Sequence, residues 1–190
     1  MLGLVAELCA WFERHGCRCH VGGSLASSFH GVPRQTRDID LVVELTSSVV
    51  DDLVRDLGNA WYVDGAQARR ALSRGRAFNL VHLESGWKVD VFPSGRTPFE
   101  RSEMDRARPV ALDPGGRMVV PVKSPEDTIL RKLSWFREGG GVSDRQWNDV
   151  VGMLRTLSGE LDDPYLEEWS RRLGVDDLLR QAREDAARDA

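Results

Sequence analysis

Cys9, Cys17 and Cys19 are the only cysteines in the chain. They are too few and too clustered for a disulfide framework, which points to a reducing, cytosolic setting. Long apolar runs are missing too: no stretch approaches the length needed to cross a bilayer, and Glu7 and Glu13 stand where a signal peptide would be basic. The chain therefore reads as cytoplasmic and unprocessed. Neither sign of charge dominates. Lys and Arg number 26 against 30 Asp and Glu, a formal net charge of -4. That balance gives no global attraction to nucleic acid, so a polyanionic partner would need a local basic patch. What is present is an ordinary globular composition, 41% hydrophobic and 29% charged over 190 residues. This suits one domain, or a compact domain with a helical appendage, and the length buries a core without staples.

The hydrophobic pattern changes character along the chain. Leu4, Val5, Leu8, Trp11 and Phe12 recur at helical spacing, predicting a helix over residues 2–13 that Gly16 stops. Residues 17–21 read as a short strand running into Gly22-Gly23, and Ser24 is placed to cap a short helix over 25–29. Residues 38–45 read as a strand and 47–57 as a helix. The runs 78–83 and 87–92 flank Glu84-Ser85-Gly86 and predict a hairpin, and 117–122 gives a further strand. From Ser124 onward only helices are expected. Ser124-Pro125-Glu126-Asp127 combines an N-cap, proline at the first helical position and acids in the first turn. Gly139-Gly140-Gly141 then links to helices around 143–154, 164–173 and 176–187. The expected fold is α/β, a small mixed sheet flanked by helices over residues 1–123, followed by a C-terminal helical segment over 124–190.

The chemistry gathers on acidic positions. In Asp38-Ile39-Asp40-Leu41 strand alternation sends Asp38 and Asp40 to one face and the apolar residues to the other. Two neighbouring carboxylates repel, and a hard divalent cation with oxygen ligands relieves that repulsion. The alternative is a loop-end cap followed by an exposed strand residue. Upstream, Gly22-Gly23-Ser24 lies between a strand and a helix, where free N–H groups and a hydroxyl can face phosphate, although such turns also occur without a ligand. Downstream, Asp90 in Trp87-Lys88-Val89-Asp90-Val91 joins the pair if its strand is a neighbour, and three carboxylates can serve a triphosphate and an attacking hydroxyl. Otherwise Asp90 is a strand residue paired with Lys88 or a nearby Arg.

These residues together resemble the polymerase-beta-type nucleotidyltransferase superfamily: Gly23-Ser24, thirteen residues, Asp38-Ile39-Asp40-Leu41, then the later strand Val89-Asp90-Val91. With Ser124-Pro125-Glu126-Asp127 and Arg131-Lys132-Leu133 added, the chain is similar to the minimal nucleotidyltransferases of the AbiEii toxin type over residues 21–154. The resemblance implies Mg²⁺-dependent transfer of a nucleoside monophosphate from a triphosphate to a hydroxyl on RNA, protein or a small molecule, with Mn²⁺ as a substitute metal. It implies Asp38, Asp40 and Asp90 as metal ligands and catalytic groups. Gly22, Gly23, Ser24 and Arg37 would bind nucleotide with Lys132 and Asp149, and Lys132 would also face the leaving pyrophosphate. An antitoxin protein would be the partner of a toxin-type member. The rival from another class is a binding or protein-interaction module that keeps the pocket without turnover.

Other signals carry less. Cys17, Cys19 and His20 lack further ligands at recognisable spacing for zinc and read as buried side chains. Arg69, Arg70, Arg74 and Arg76 form the densest basic run, explained as well by solvated charges as by nucleic acid. Arg34 and Arg37 precede Asp38 and suit either phosphate contact or charge balance. Trp135, Trp147 and Trp169 read as packing residues on helices.

Overall fold

Apolar and acidic side chains alternate through residues 38–43, and the fold uses that alternation to build a strand with one dry face. The computed structural model describes residues 1–36 and 38–188. Packing divides the chain into two units, Met1–Gly22 with Thr36–Lys123, and Gly23–Gln35 with Ser124–Ala190. The sequence reading drew a single boundary, between residues 123 and 124; the short helix after Gly22 packs instead with the C-terminal helices.

The first unit holds the strands β1 (Cys19–Val21), β2 (Asp38–Val43), β3 (Trp61–Tyr62), β4 (Phe78–His82), β5 (Lys88–Pro93), β6 (Arg108–Ala111) and β7 (Val119–Val122). They form one mixed seven-stranded sheet in the order β3-β4-β5-β2-β1-β7-β6. β2 runs parallel to β5 and β1 parallel to β7, while the remaining neighbours are antiparallel. The hairpin expected around Glu84-Ser85-Gly86 is the antiparallel β4–β5 pair. Ile39, Leu41 and Val43 of β2 and Val89 and Val91 of β5 have no solvent exposure and form the dry face. The helices of this unit are α1 (Leu2–Arg14), α3 (Ser47–Leu57), α4 (Gly65–Ser73) and α5 (Pro98–Asp105). α1 packs on β1 and β7 and buries Val5, Leu8, Cys9, Trp11 and Phe12, the stripe its periodicity announced.

Four elements were not anticipated. β3 has two residues and β6 four, too short to show a period. α4 buries Ala68 alone, so it carries almost no apolar stripe. α5 did carry a signal: Thr97 caps it reciprocally with Glu100, and Pro98 opens its first turn.

The second unit is helical: α2 (Gly23–His30), α6 (Pro125–Glu138), α7 (Asp144–Thr156), α8 (Asp163–Leu173) and α9 (Asp176–Arg188). α2 packs on α6 and α7, α7 on α9, and α6 on α8. The cap of α6 does more than stop fraying. Ser124 Oγ accepts from the Asp127 N–H at 3.1 Å and donates to Asp127 Oδ2 at 2.7 Å, and Tyr165 of α8 donates to Asp127 Oδ1 at 2.5 Å. Glu126 accepts from the Asp162 N–H at 3.0 Å. Ser-Pro-Glu-Asp is thus a buried joint between α6 and α8. Among the described residues no helix is long and apolar enough to cross a membrane.

Candidate functional site

The predicted site residues fall in both units. In the first, the parallel β2–β5 register sets Asp38 opposite Lys88 and Asp40 opposite Asp90. Opposed residues share a face and side chains alternate along each strand, so Asp38, Asp40, Lys88 and Asp90 all stand on the face opposite Ile39, Leu41 and Val89. Adjacency of Asp90 to the aspartate pair, left open by the sequence, is therefore settled by strand order. Lys88 reaches back into the acids: its Nζ lies 3.0 Å from Asp90 Oδ2 and 3.6 Å from Asp38 Oδ1. The hydrogen bond from Lys88 to Asp90 is the main reason its ammonium is held above the ordinary lysine range, against a smaller opposing effect of burial.

Exposure differs among the acids. The Asp38 side chain is 59% exposed and that of Asp90 18%. Carboxylate oxygens on one sheet face suit a hard cation such as Mg²⁺. Among the described residues, no three His, Cys, Asp or Glu side chains form a ready cage for a metal. The sheet brings the three acids onto one face, with a lysine bridging two of them. Antiparallel pairing adds one residue the sequence reading passed over: Asn79 of β4 is exposed and lies opposite Asp90. The alternation in Phe78-Asn79-Leu80 was its only signal.

The glycine turn differs from expectation. The Gly22 N–H donates to the Asp40 carbonyl at 2.9 Å, extending the β1–β2 pairing, and so is not a free phosphate donor. A Cβ on Gly22 would meet Val42, Lys123 and Asp40 only at ordinary contact distance. Gly23 has φ of +54°, a left-handed conformation that favours glycine. Ser24 lies inside α2 rather than capping it, because the helix starts at Gly23, two residues before the expected Leu25.

In the second unit, Ser24, Lys132 and Asp149 belong to one network centred on the carboxylate. Lys132 Nζ donates to Asp149 Oδ2 at 2.7 Å. Arg34 grips the same carboxylate with both arms, Nε to Oδ1 at 3.0 Å and Nη2 to Oδ2 at 3.2 Å, and Ser27 donates to Oδ2 at 3.2 Å. Arg34 Nη2 also donates to the Ser24 hydroxyl. The Lys132 and Asp149 side chains are 5% and 8% exposed. Burial pushes the Asp149 carboxyl up, but the hydrogen bonds from Arg34 and Lys132 outweigh it and hold it below the usual carboxylate range. Arg34 is therefore charge balance, for Asp149 rather than for the strand aspartates. Arg37, read from the sequence as a nucleotide contact, lies outside the described residues.

The cysteines come together around one cavity. Cys9, Cys17 and Cys19 are buried and line one cavity of about 420 Å³ in the first unit, with Arg18 and Glu13 at its wall. The basic run is in part ion-paired, with Arg69 held by Asp51. Trp147 donates to Asp185 at 3.0 Å and packs on Phe136, as expected of a packing residue.

This mixed seven-stranded sheet with its helices matches a nucleotidyltransferase-like fold. Two solved structures share it. The antigenic nucleotidyltransferase-like protein from Paracoccidioides brasiliensis matches with a TM-score of 0.55 and 18% identity, covering 96% of this chain and 91% of that one. ANT(2")-Ia in complex with adenylyl-2"-tobramycin matches with a TM-score of 0.51 and 15% identity, covering 91% of this chain and 96% of its own. No protein-family model and no curated protein matches the chain.

Proposed function

We propose that the protein is a metal-dependent nucleotidyltransferase that moves a nucleoside monophosphate from a triphosphate to an acceptor hydroxyl. The observation that carries this reading is the β2–β5 register, with Asp40 beside Asp90 and Asp38 on the same face. Asp38 and Asp40 would hold Mg²⁺, or Mn²⁺ in its place; the ion would draw charge from the triphosphate oxygens when bound. The acceptor oxygen attacks the α-phosphorus, the bond to the β-phosphate bridging oxygen breaks with its electron pair leaving on pyrophosphate, and the hydroxyl proton passes to an Asp90 carboxylate oxygen. A small molecule is the acceptor we favour, because the fold is shared with a protein solved with adenylyl-2"-tobramycin. A role as a toxin with an antitoxin partner rests only on the AbiEii resemblance; growth arrest on induced expression, relieved by a neighbouring gene product, is its test.

Gly23, Ser24 and Lys132 remain proposed phosphate contacts, and Asp149 the group that positions Lys132. Purified protein with Mg²⁺ and each α-phosphate-labelled ribonucleoside triphosphate, offered RNA, protein and metabolite pools, should pass label to one pool and release pyrophosphate. Binding of nucleotide with no transfer to any pool would instead make the chain a nucleotide-binding module.

A further inference from the structure

The acidic face contains its own cation. Lys88 stands opposite Asp38 in the parallel register and two residues before Asp90, so alternation alone commits it to the same face as the three acids. Its ammonium lies within hydrogen-bonding distance of Asp90 and 3.6 Å from Asp38. It therefore bridges the third carboxylate to the first. A second divalent ion serving both the triphosphate and the attacking hydroxyl would draw on these same carboxylate oxygens.

We infer that Lys88 limits the acidic face to one divalent cation, its ammonium taking the place of a second metal between Asp38 and Asp90. The charge balance favours this. On the protein side, three carboxylates and one ammonium leave two negative charges rather than three, so the face draws a second divalent ion less strongly than three bare carboxylates would. A second ion would be repelled by the ammonium while competing with it for the same oxygens. Lys88 is the first residue of β5, paired with Val81 of β4, and its side chain is 40% exposed. The inference rests on the metal reading of this face, and the experiment separates the two.

Equilibrium dialysis counts Mn²⁺ and nucleotide bound per chain, using the non-hydrolysable analogue of each ribonucleoside triphosphate, for wild type, Lys88→Met, Lys88→Gln and Lys88→Arg. Circular dichroism verifies that each variant is folded. The expected result is one Mn²⁺ per bound nucleotide in the wild type and in Lys88→Arg, and two in Lys88→Met and Lys88→Gln. Two Mn²⁺ in the wild type, or one in both uncharged variants, would overturn the inference while leaving the metal reading standing. No metal-dependent nucleotide binding by any form would overturn both.

Discussion

Single charges carry the proposed chemistry, and they divide into groups that should behave differently. Asp40 is proposed to hold the metal that accompanies the nucleotide, so Asp40→Asn should weaken binding and turnover together. Asp90 is proposed to take the proton of the attacking hydroxyl, so Asp90→Asn should slow single-turnover transfer by about 10²-fold or more with ground-state nucleotide affinity nearly intact. Paired titrations and single-turnover assays read both, and equal loss of affinity in the two variants would remove the distinction. Asp149 is a different kind of acid. Its carboxyl is held below the usual range by Arg34 and Lys132. The stability it contributes is therefore present above the unfolded carboxyl value of about pH 4 and is lost as pH falls through its lower folded value. Denaturant melts of wild type and Asp149→Asn should show their largest gap near neutrality and a shrinking gap as pH drops below about 4. Lys132→Met leaves part of a buried pair uncompensated and should cost about 3 kcal/mol, somewhat less where Arg34 retains its grip. If Lys132 also faces phosphate, the melt-stable fraction of that variant should lose triphosphate affinity more than monophosphate affinity. Equal weakening would leave it a purely structural residue.

At the scale of elements, close approaches matter that no periodicity announces. The exit of α2 crosses α7 so tightly that a Cβ on Gly31 would lie 2.9 Å from Met153 Cγ and 3.1 Å from the Met153 backbone nitrogen. Backbone cannot swing aside as a side chain can, so Gly31→Ala should destabilise by about 1–3 kcal/mol, the cost of overpacking. Thermal and urea melts check this, and a neutral result would mean that α2 shifts freely on α7. The α6 cap makes a second case. Ser124 is fully buried and both accepts from and donates to Asp127. Ser124→Ala should therefore cost about 1–2 kcal/mol, at the upper end for a lost cap, and urea melts should show it without any change in nucleotide affinity.

For the whole molecule, the proposed site predicts linkage between ligand and stability. A ligand that binds only the folded state at about 100 times its Kd adds about 2.7 kcal/mol. The cognate triphosphate should therefore raise the melting temperature in Mg²⁺ and fail to do so in EDTA. An equal rise in EDTA would sink the metal site, since repulsion between Asp38 and Asp40 is what calls for the cation.

Much of this was legible along the chain, and the reason is local. Alternation put Asp38 and Asp40 on one face and helical spacing marked α1; the hairpin, the α6 cap and the C-terminal helices announced themselves through turn and cap residues. Each depends on residues within a few positions of one another, which sequence displays directly. The rest depended on contacts between distant segments. Only strand order could set β5 against β2 and so bring Asp90 to Asp40 and Lys88 to Asp38, because register between strands some fifty residues apart leaves no period in either. Only helix packing could send Arg34 to Asp149 instead of to the strand acids, join Lys132 to them, and attach residues 23–35 to the C-terminal helices. The acids were written in the sequence; their partners were chosen by the sheet order and by the packing of α2, α6 and α7, since a charge takes whichever counter-ion the backbone brings within reach.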